Sequence, residues 1–229
     1  MKVISVADTK RINGSTRDFV YQTVKEQIIN WKLEPGVKIS EKEVASQLEV
    51  SRTPVREAFI KLAQEELLDV FPQSGTIVSK IDLGLVEEGR FVRQKIEQAI
   101  VEEVCLKHND DQLFQLESNL TMQELCLEKG THHRLFELDE EFHRNMFEVC
   151  TKIRTWKMIR QMNSHFDRLR VLRLASNSDW DGVVFQHKRI LEHIKNKDVE
   201  SAVEEISSHL ELVNYEKAEL KLRYPGYFK

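Results

Sequence analysis

Residues 51–62 read SRTPVREAFIKL, and this run constrains the fold more than any other part of the chain. Ser51 is suited to cap a helix, and Pro54 is tolerated in the first turn because its missing N–H would have no helical partner there. Arg52 and Arg56 are four residues apart and share one face, whereas apolar side chains at helical spacing line another. The run predicts an amphipathic helix that packs on a small domain and presents two arginines outward.

The chemistry of arginine suggests what this helix contacts. A guanidinium fork matches the acceptors of guanine O6/N7 and of phosphate, so the exposed arginines are suited to a DNA groove. The alternative is an ordinary amphipathic helix whose charges are only solvated. The run by itself leaves these two interpretations equal.

The preceding residues predict two further helices. Ser40–Leu48 reads as a short helix in which Ser40 and Glu43 form a capping box. Only Glu49–Val50 separates it from the next helix, so the two helices must cross sharply, as in a helix-turn-helix. An earlier helix over about 16–31 supplies the apolar side chains that close a small core.

A β-hairpin is predicted after the arginine-bearing helix. Two β-prone stretches, 67–71 and 76–79, surround a Pro/Gly turn at 72–75. The order helix, helix, hairpin is that of a winged helix-turn-helix. We expect this domain to occupy residues 1–81, together with an N-terminal arm.

This part of the chain resembles the DNA-binding domain of GntR-type bacterial transcription regulators. The resemblance rests on Pro35-Gly36, Ile39-Ser40-Glu41, the block 50–58 and Gly75, and it covers roughly residues 17–80. It implies DNA contacts from the second helix, the recognition helix and the wing tip. The residues concerned are Lys42, Ser51, Arg52, Thr53, Arg56 and Gly75.

Two positions depart from the family pattern. The family usually has glycine just before Val50 and near the end of the recognition helix, where this chain has Glu49 and Glu66. We expect Glu49 to adopt the turn conformation in spite of its Cβ, at a modest cost. Its negative charge near DNA predicts somewhat weaker or more selective binding.

Charge alone does not indicate a nucleic-acid partner. The chain has 34 Lys and Arg against 38 Asp and Glu, for a net charge of −4, and residues 17–80 are not basic overall either. DNA binding would depend on a local patch of Lys42, Arg52, Arg56 and Lys61. It should be sensitive to salt through few phosphates per chain, and a dimer would double that contact.

The length of 229 residues predicts two domains, which we place at 1–81 and 82–229. No apolar run reaches the length of a membrane span, and no signal-peptide core precedes Asp18. The three cysteines are widely spaced and odd in number, which favours reduced, packed thiols. These features predict a cytoplasmic protein without a membrane segment.

From Asp82 onward the pattern is helical almost without interruption, so the predicted fold class is mainly α. Short connections favour an all-α antiparallel bundle behind the winged domain. Asp82-Leu83-Gly84 is the expected hinge. Six helices are predicted, over about 83–107, 110–128, 131–150, 153–175, 179–195 and 198–222.

Three histidines and one aspartate of this bundle fall on inward faces of three helices. Asp139 and His143 are four apart on the third helix, and His187 and His209 lie among apolar residues on the last two. A single such histidine is usually an ordinary core residue, but the combination favours a divalent metal: Zn, Ni, Fe or Mn. His165 also lies on an apolar face, as an additional pocket residue or as plain core.

The spacing of these four residues resembles the metal-binding pattern of the FCD domain, the effector domain of the FadR subfamily of GntR regulators. Six helices resemble its shorter, VanR-type version, and the likeness covers about residues 83–220. It implies a metal with open positions for a small organic acid, with His165 as a residue of the same pocket. Arg93 would either reach the effector carboxylate or form an ion pair with Glu97 or another acid.

The resulting hypothesis is a ligand-controlled repressor or activator. Two chains pair as a homodimer and place their recognition helices in successive major grooves of a roughly palindromic double-stranded DNA operator. In one alternative the metal is purely structural or is itself the signal. Another is a metallohydrolase, which the sequence disfavours because Glu140 and Glu141 point away from the face of Asp139.

Overall fold

A computed structural model of the protein describes residues 14–71, 74–177 and 180–229. Outside the described residues lie 1–13, where the N-terminal arm is predicted, the turn residues Pro72 and Gln73, and the predicted helix start at Asp179. The chain divides into two compact units. The first unit extends to Val86 and includes Ser164–Leu172 and Ala218–Lys229, and the second comprises Glu87–Asn163 and Arg173–Lys217.

The first unit contains the predicted winged helix-turn-helix. Its three strands form an antiparallel sheet in the order β1-β3-β2, with Val70 opposite Thr76 in the β2–β3 hairpin. The elements are α1 (Thr16–Ile29), β1 (Lys38–Ile39), α2 (Glu41–Gln47), α3 (Arg52–Gln64), β2 (Leu68–Phe71) and β3 (Gly75–Val78). The predicted hairpin is therefore confirmed. Strand β1 was not predicted, because two residues are too few to show the alternation of apolar and polar side chains that is typical of a strand.

Side-chain caps start the first two helices. The Ser15 hydroxyl accepts a hydrogen bond from the Asp18 N–H, and the Ser40 hydroxyl accepts one from the Glu43 N–H. Ser51 stands at the N-cap of α3 as predicted, but its side chain makes no capping hydrogen bond. The helices enclose a small apolar core formed by Val20, Val24, Ile28, Val44, Val55, Ala58, Phe59 and Leu62.

The chain reverses on either side of α3 at residues with positive φ. Glu49, before the helix, has φ 53°, and Glu66, after it, has φ 57°. Both backbones are therefore in the left-handed region that favours glycine. The expectation that Glu49 would adopt the turn conformation despite its Cβ is confirmed.

The end of the chain packs on the segment that follows the wing. Phe228 and Ile81 form a parallel bridge, in which the Ile81 N–H donates to the Tyr227 carbonyl at 2.8 Å. Both Ile81 and Phe228 are buried. Tyr227 also stacks on Trp31, with ring centroids 5.1 Å apart. The C-terminal residues are thus an integral part of the first unit.

Helix α8 supplies two further contacts to the same segment. The buried Arg168 guanidinium donates to the Ser79 carbonyl at 2.7 Å and to the Ser79 hydroxyl at 3.2 Å. His165 Nδ1 accepts a hydrogen bond from the Asp82 N–H at 3.2 Å. Backbone groups of residues 79–82 are therefore paired by side chains more than 80 positions away in sequence.

The residues after Ile81 are helical, as predicted, but the number of helices differs. The prediction of six is wrong, because the described chain between 83 and 223 contains seven. They are α4 (Leu83–Lys107), α5 (Asp110–Glu128), α6 (His132–Val149), α7 (Ile153–Met162), α8 (Ser164–Asn177), α9 (Trp180–Lys195) and α10 (Val199–Arg223).

The additional break divides the predicted fourth helix at Asn163. Asn163 is the C-cap of α7, with its N–H donating to the Ile159 carbonyl, and α8 begins at the next residue. In the second unit Gly89 of α4 packs directly on Asn163: a Cβ at Gly89 would lie 2.9 Å from Asn163 Oδ1. Asparagine favours helix ends over interiors, so Asn163 favours a helix end at this position.

The apolar core of the bundle draws on α4, α5, α6, α9 and α10, with Phe142, Met146, Ile190, Leu191 and Ile206 among its buried members. A capping box of Asn109 and Gln112 starts α5.

All three cysteines are free and buried, and burial raises the pKa of Cys105 and Cys150 to about 11. None of the helices in the described ranges is long and apolar enough to cross a bilayer.

Candidate DNA-binding face and metal centre

The exposed side of α3 carries the residues predicted to contact DNA. Arg52, Thr53 and Arg56 are exposed, as is Ser51 at the N-cap, whereas Val55 on the opposite side is fully buried. Lys42 is exposed on α2. The face therefore offers two guanidinium groups and an ammonium group to a partner, and these groups are the usual donors to guanine and phosphate.

Arg56 has a neighbour that sequence analysis did not identify. Its Nε lies 3.3 Å and 3.4 Å from the two carboxylate oxygens of Glu41 at the start of α2. The arginine side chain is 69% exposed, so this ion pair is a surface contact and contributes little to stability. Glu41 contacts only the Nε side of the Arg56 guanidinium in these two hydrogen bonds.

Gly75 opens β3 at the tip of the hairpin. It is exposed, its φ is 110°, and a Cβ at this position would meet nothing within 4 Å. Glycine is therefore required here by backbone conformation and not by crowding. The residue predicted to form the wing tip therefore lies at the exposed end of a narrow hairpin. A hairpin of this kind can follow a DNA groove.

The four predicted metal ligands come together in the second unit. Asp139 and His143 lie on α6, His187 on α9 and His209 on α10, and all four are buried. One ligand atom from each residue can be chosen so that all lie within 4.8 Å of one another. His143 Nε2 is 3.1 Å from His209 Nε2, which is 3.3 Å from His187 Nε2.

The other nitrogen of each ring faces an oxygen. His143 Nδ1 donates to Glu97 Oε2 at 2.6 Å, and His187 Nδ1 donates to Gln123 Oε1 at 2.8 Å. His209 Nδ1 lies 3.2 Å from Gln186 Oε1. With the ring proton on Nδ1, the Nε2 lone pairs of the three neutral rings point at one another.

This arrangement fits a cation. Three converging lone pairs repel one another unless a proton or a metal ion lies between them. Two nitrogens bound at about 2.1 Å to one ion are themselves roughly 3.0–3.4 Å apart, which matches the observed separations. An outer shell of oxygen acceptors on Nδ1 is also what metal-binding histidines usually have. The donor set of three imidazoles and Asp139 suits Zn, Ni, Fe or Mn.

Arg93 joins this cluster through Glu97. Its Nε donates to Glu97 Oε1 at 2.5 Å, and its Nη1 lies 3.3 Å from Glu140 Oε1; Arg93 and Glu97 are fully buried. Glu140 also pairs with Arg160 of α7. Burial alone would raise the pKa of Glu97, but Arg93 and His143 outweigh burial and hold that pKa below its usual value.

The structure thus places Arg93 in an ion pair with Glu97, one of the two roles predicted for it. His165 lies in the first unit with Asp82 as its partner, whereas the metal candidates lie in the second. Burial and the nearby Arg168 lower the pKa of His165 to about 4. Gln123 and Gln186 were not predicted, because a single glutamine on a helix carries no motif.

A winged helix-turn-helix with exposed arginines on its recognition helix, followed in the same chain by a helical bundle, defines a DNA-binding transcription regulator. The chain belongs to the GntR family: residues 16–78 match "Bacterial regulatory proteins, gntR family", and residues 90–212 match the FCD domain.

Curated relatives agree with this assignment. The chain is 31% identical over 209 residues to the HTH-type transcriptional repressor RspR of Escherichia coli K12, covering 91% of this chain and 92% of RspR. It is 28% identical to the Nta operon transcriptional regulator of Aminobacter aminovorans, over 71% of this chain and 74% of that protein. These relatives are regulators and not enzymes, so the metallohydrolase alternative is rejected.

A solved structure has the same fold. Escherichia coli McbR/YncC superposes with a TM-score of 0.77 over 92% of this chain and 99% of that chain. Because the two sequences are only 21% identical, the likeness concerns the fold alone.

Proposed function

We propose that this regulator binds a roughly palindromic operator as a homodimer, and that a small carboxylate, bound with a divalent metal in the bundle, controls its operator affinity. The observation that carries the effector part is the convergence of three imidazole Nε2 atoms and Asp139, with separations of 3.1, 3.3 and 3.6 Å. A bound divalent ion would supply a Lewis-acidic anchor for an organic acid.

Charge balance supports a carboxylate as the effector. Asp139 is the only anionic residue among the four grouped ligands, so the chain offsets one of the two positive charges of the ion. The carboxylate of an organic acid would offset the second. In the buried surroundings of these residues, neutrality is strongly favoured over a residual charge.

On the DNA side, Arg52 and Arg56 are proposed to contact bases or phosphates, with Lys42, Ser51 and Thr53 positioning the helix. A dimer places two such helices in major grooves about one helical turn apart, which explains why a palindrome is expected. The Gly75 wing would approach the adjacent backbone or minor groove.

Exposed apolar side chains on the second unit support pairing with a second copy. Phe91 of α4 is 55% exposed, and Met158 and Met162 of α7 are also exposed. Glu88 and Lys95, which flank Phe91 by about one turn, are exposed and of opposite charge. A two-fold crossing of α4 at Phe91 would bury the apolar side chains and bring unlike charges together.

The test of DNA recognition is selection of bound duplex from a random pool, followed by affinity measurement on the selected site. The Arg52→Ala/Arg56→Ala variant should lose selective capture. Arg144→Ala/Lys157→Ala is the matched control, because it removes two exposed positive charges from the second unit. Selective capture that persists in the first variant would contradict the proposal.

The test of effector control uses the selected duplex with metal alone and with metal plus a panel of small carboxylic acids. We expect at least one acid to change duplex affinity in the wild type but not in His187→Ala or His209→Ala. A change caused by metal alone, with no effect of any acid, would favour the metal-sensing alternative. Metal that stabilises the fold without changing duplex affinity would favour a structural ion, since four protein ligands complete a tetrahedral zinc site.

A further inference from the structure

We infer that Glu97 and Gln123 are positioning residues of the metal centre: they fix the proton on Nδ1 of His143 and His187 and so leave both Nε2 atoms free to bind the ion. The inference rests on the proposed metal site, which it deepens. It assigns a role to two residues on helices that contribute none of the four ligands, α4 and α5.

The orientation of Gln123 follows from a chain of hydrogen bonds that starts at a backbone carbonyl. The Leu138 carbonyl can only accept, so the group of Asn119 that faces it at 3.1 Å is the amide Nδ2. Asn119 Oδ1 is then the acceptor for Gln123 Nε2 at 2.7 Å. The remaining oxygen of Gln123 faces His187 Nδ1 at 2.8 Å, and this nitrogen must carry the proton.

Leu138 immediately precedes Asp139 on α6. This chain of hydrogen bonds therefore begins beside one proposed metal ligand and ends on another, His187. Asn119, Gln123 and His187 are all buried, so water does not compete for these hydrogen bonds. The wrong tautomer of His187 would leave Gln123 Oε1 without a donor and would turn an N–H toward the other imidazoles. Both consequences are costly in a buried site.

Glu97 performs the same task for His143 by a different chemistry. An ionised carboxylate is only an acceptor, so the 2.6 Å contact requires the proton on His143 Nδ1. Arg93 binds the other carboxylate oxygen at 2.5 Å and keeps Glu97 both oriented and ionised. A carboxylate in this position also raises the basicity of the bound imidazole.

His209 provides an internal comparison. Its Nδ1 is 3.2 Å from Gln186 Oε1, the longest of the three contacts, and no second hydrogen bond fixes the orientation of the Gln186 amide in the described structure. We therefore expect His209 to be the least constrained of the three imidazoles.

The experiment compares metal affinity and histidine tautomers in three variants. Gln123→Leu removes the acceptor, Gln123→Glu retains one, and Gln115→Leu makes the same change at an exposed position two turns earlier on α5. Competition of Zn²⁺ or Ni²⁺ with a chromophoric chelator should show about 10–100-fold weaker binding in Gln123→Leu. Gln123→Glu and Gln115→Leu should remain within about threefold of the wild type.

The second measurement needs no metal and no variant. Long-range ¹⁵N–¹H NMR spectra of the metal-free full chain should show His143 and His187 as Nδ1–H tautomers. An Nε2–H tautomer at either ring would overturn the inference, even if Gln123→Leu failed to fold. Unchanged metal affinity in a folded Gln123→Leu protein would also overturn it.

Failure of the proposed function has a different signature. Wild-type protein that shows both Nδ1–H tautomers but binds none of the tested ions would contradict the metal centre itself. Wild-type protein that binds the metal, together with a Gln123→Leu protein that binds it equally well, would contradict only the positioning role.

Discussion

Glu49 and Glu66 adopt nearly the same left-handed backbone conformation, with φ of 53° and 57°, at the two ends of the recognition-helix region. A residue with a Cβ is strained in this conformation, whereas glycine adopts it freely. Glycine would make either turn without strain, so the chain forms both turns with a less suitable residue.

The first prediction is that Glu49→Gly is more stable than Glu49→Ala by about 1 kcal/mol, because both remove the carboxylate and only glycine removes the strain. Urea denaturation of the two variants measures this difference directly. Operator affinity should rise about equally in both, since each removes the same negative charge beside DNA. Equal stability of the two variants would show that the turn at residue 49 is not strained.

The second prediction concerns metal and the stability of the bundle. Because the folded cluster binds the ion and the unfolded chain does not hold its ligands together, a metal at 100 times its dissociation constant should stabilise the protein by about 2.7 kcal/mol. Thermal denaturation with and without chelator measures the effect. His187→Ala should abolish it, whereas His193→Ala, which changes a partly exposed histidine on the same helix, should leave it intact. Full stabilisation in His187→Ala would exclude this ligand set.

Local signals in the sequence were sufficient to predict the winged helix-turn-helix of the first unit. The recognition helix, its arginines and the hairpin all follow from caps, periodicity and turn residues within a few positions of one another. By contrast, the pairing of Phe228 with Ile81 and of Arg168 with Ser79 joins residues far apart in the chain, which no local pattern reports. The helix break at Asn163 was missed because apolar residues continue across it at helical spacing.

The metal candidates could be predicted because each histidine lies in an apolar face, where an imidazole is conspicuous. The residues that hydrogen-bond to the Nδ1 atoms of these histidines could not be predicted in the same way. Gln123 becomes relevant only when α5 packs beside α9, and the direction of its amide depends on Asn119 and on a backbone carbonyl of α6. Such information exists only in tertiary packing.

The third prediction concerns the C-terminal residues. Phe228 is 4% exposed and pairs with Ile81, so Phe228→Ala should destabilise the protein by about 3 kcal/mol through the cavity it leaves. Leu222→Ala, at a position 82% exposed, should change stability by less than about 0.5 kcal/mol. Chemical denaturation of the two variants, followed by circular dichroism, measures the difference. Similar stabilities for the two variants would show that the tail does not support the winged domain.

The fourth prediction is a loss of stability in mildly acidic solution caused by His165. Its imidazole is buried, its Nδ1 accepts the Asp82 N–H, and the facing charges of Arg168 and Lys229 outweigh that of Asp82. The pKa is consequently lowered from 6.5 to about 4 in the folded protein. As pH falls below 6.5, the unfolded chain binds a proton that the folded protein does not, so stability is complete above this pH and declines toward pH 4.

Between pH 7 and pH 5 the expected loss is about 2 kcal/mol, obtained from a shift of this size at 1.36 kcal/mol per pKa unit. Urea denaturation at the two pH values, with chelator present, provides the measurement. His165→Gln replaces the imidazole with a group that does not titrate, so the loss of stability between pH 7 and pH 5 should be smaller by about 2 kcal/mol. In the control His193→Gln, which changes a partly exposed ring, the wild-type pH dependence should persist. A wild-type stability that is equal at pH 7 and pH 5 would mean that His165 takes up its proton as readily in the folded protein as in the unfolded chain.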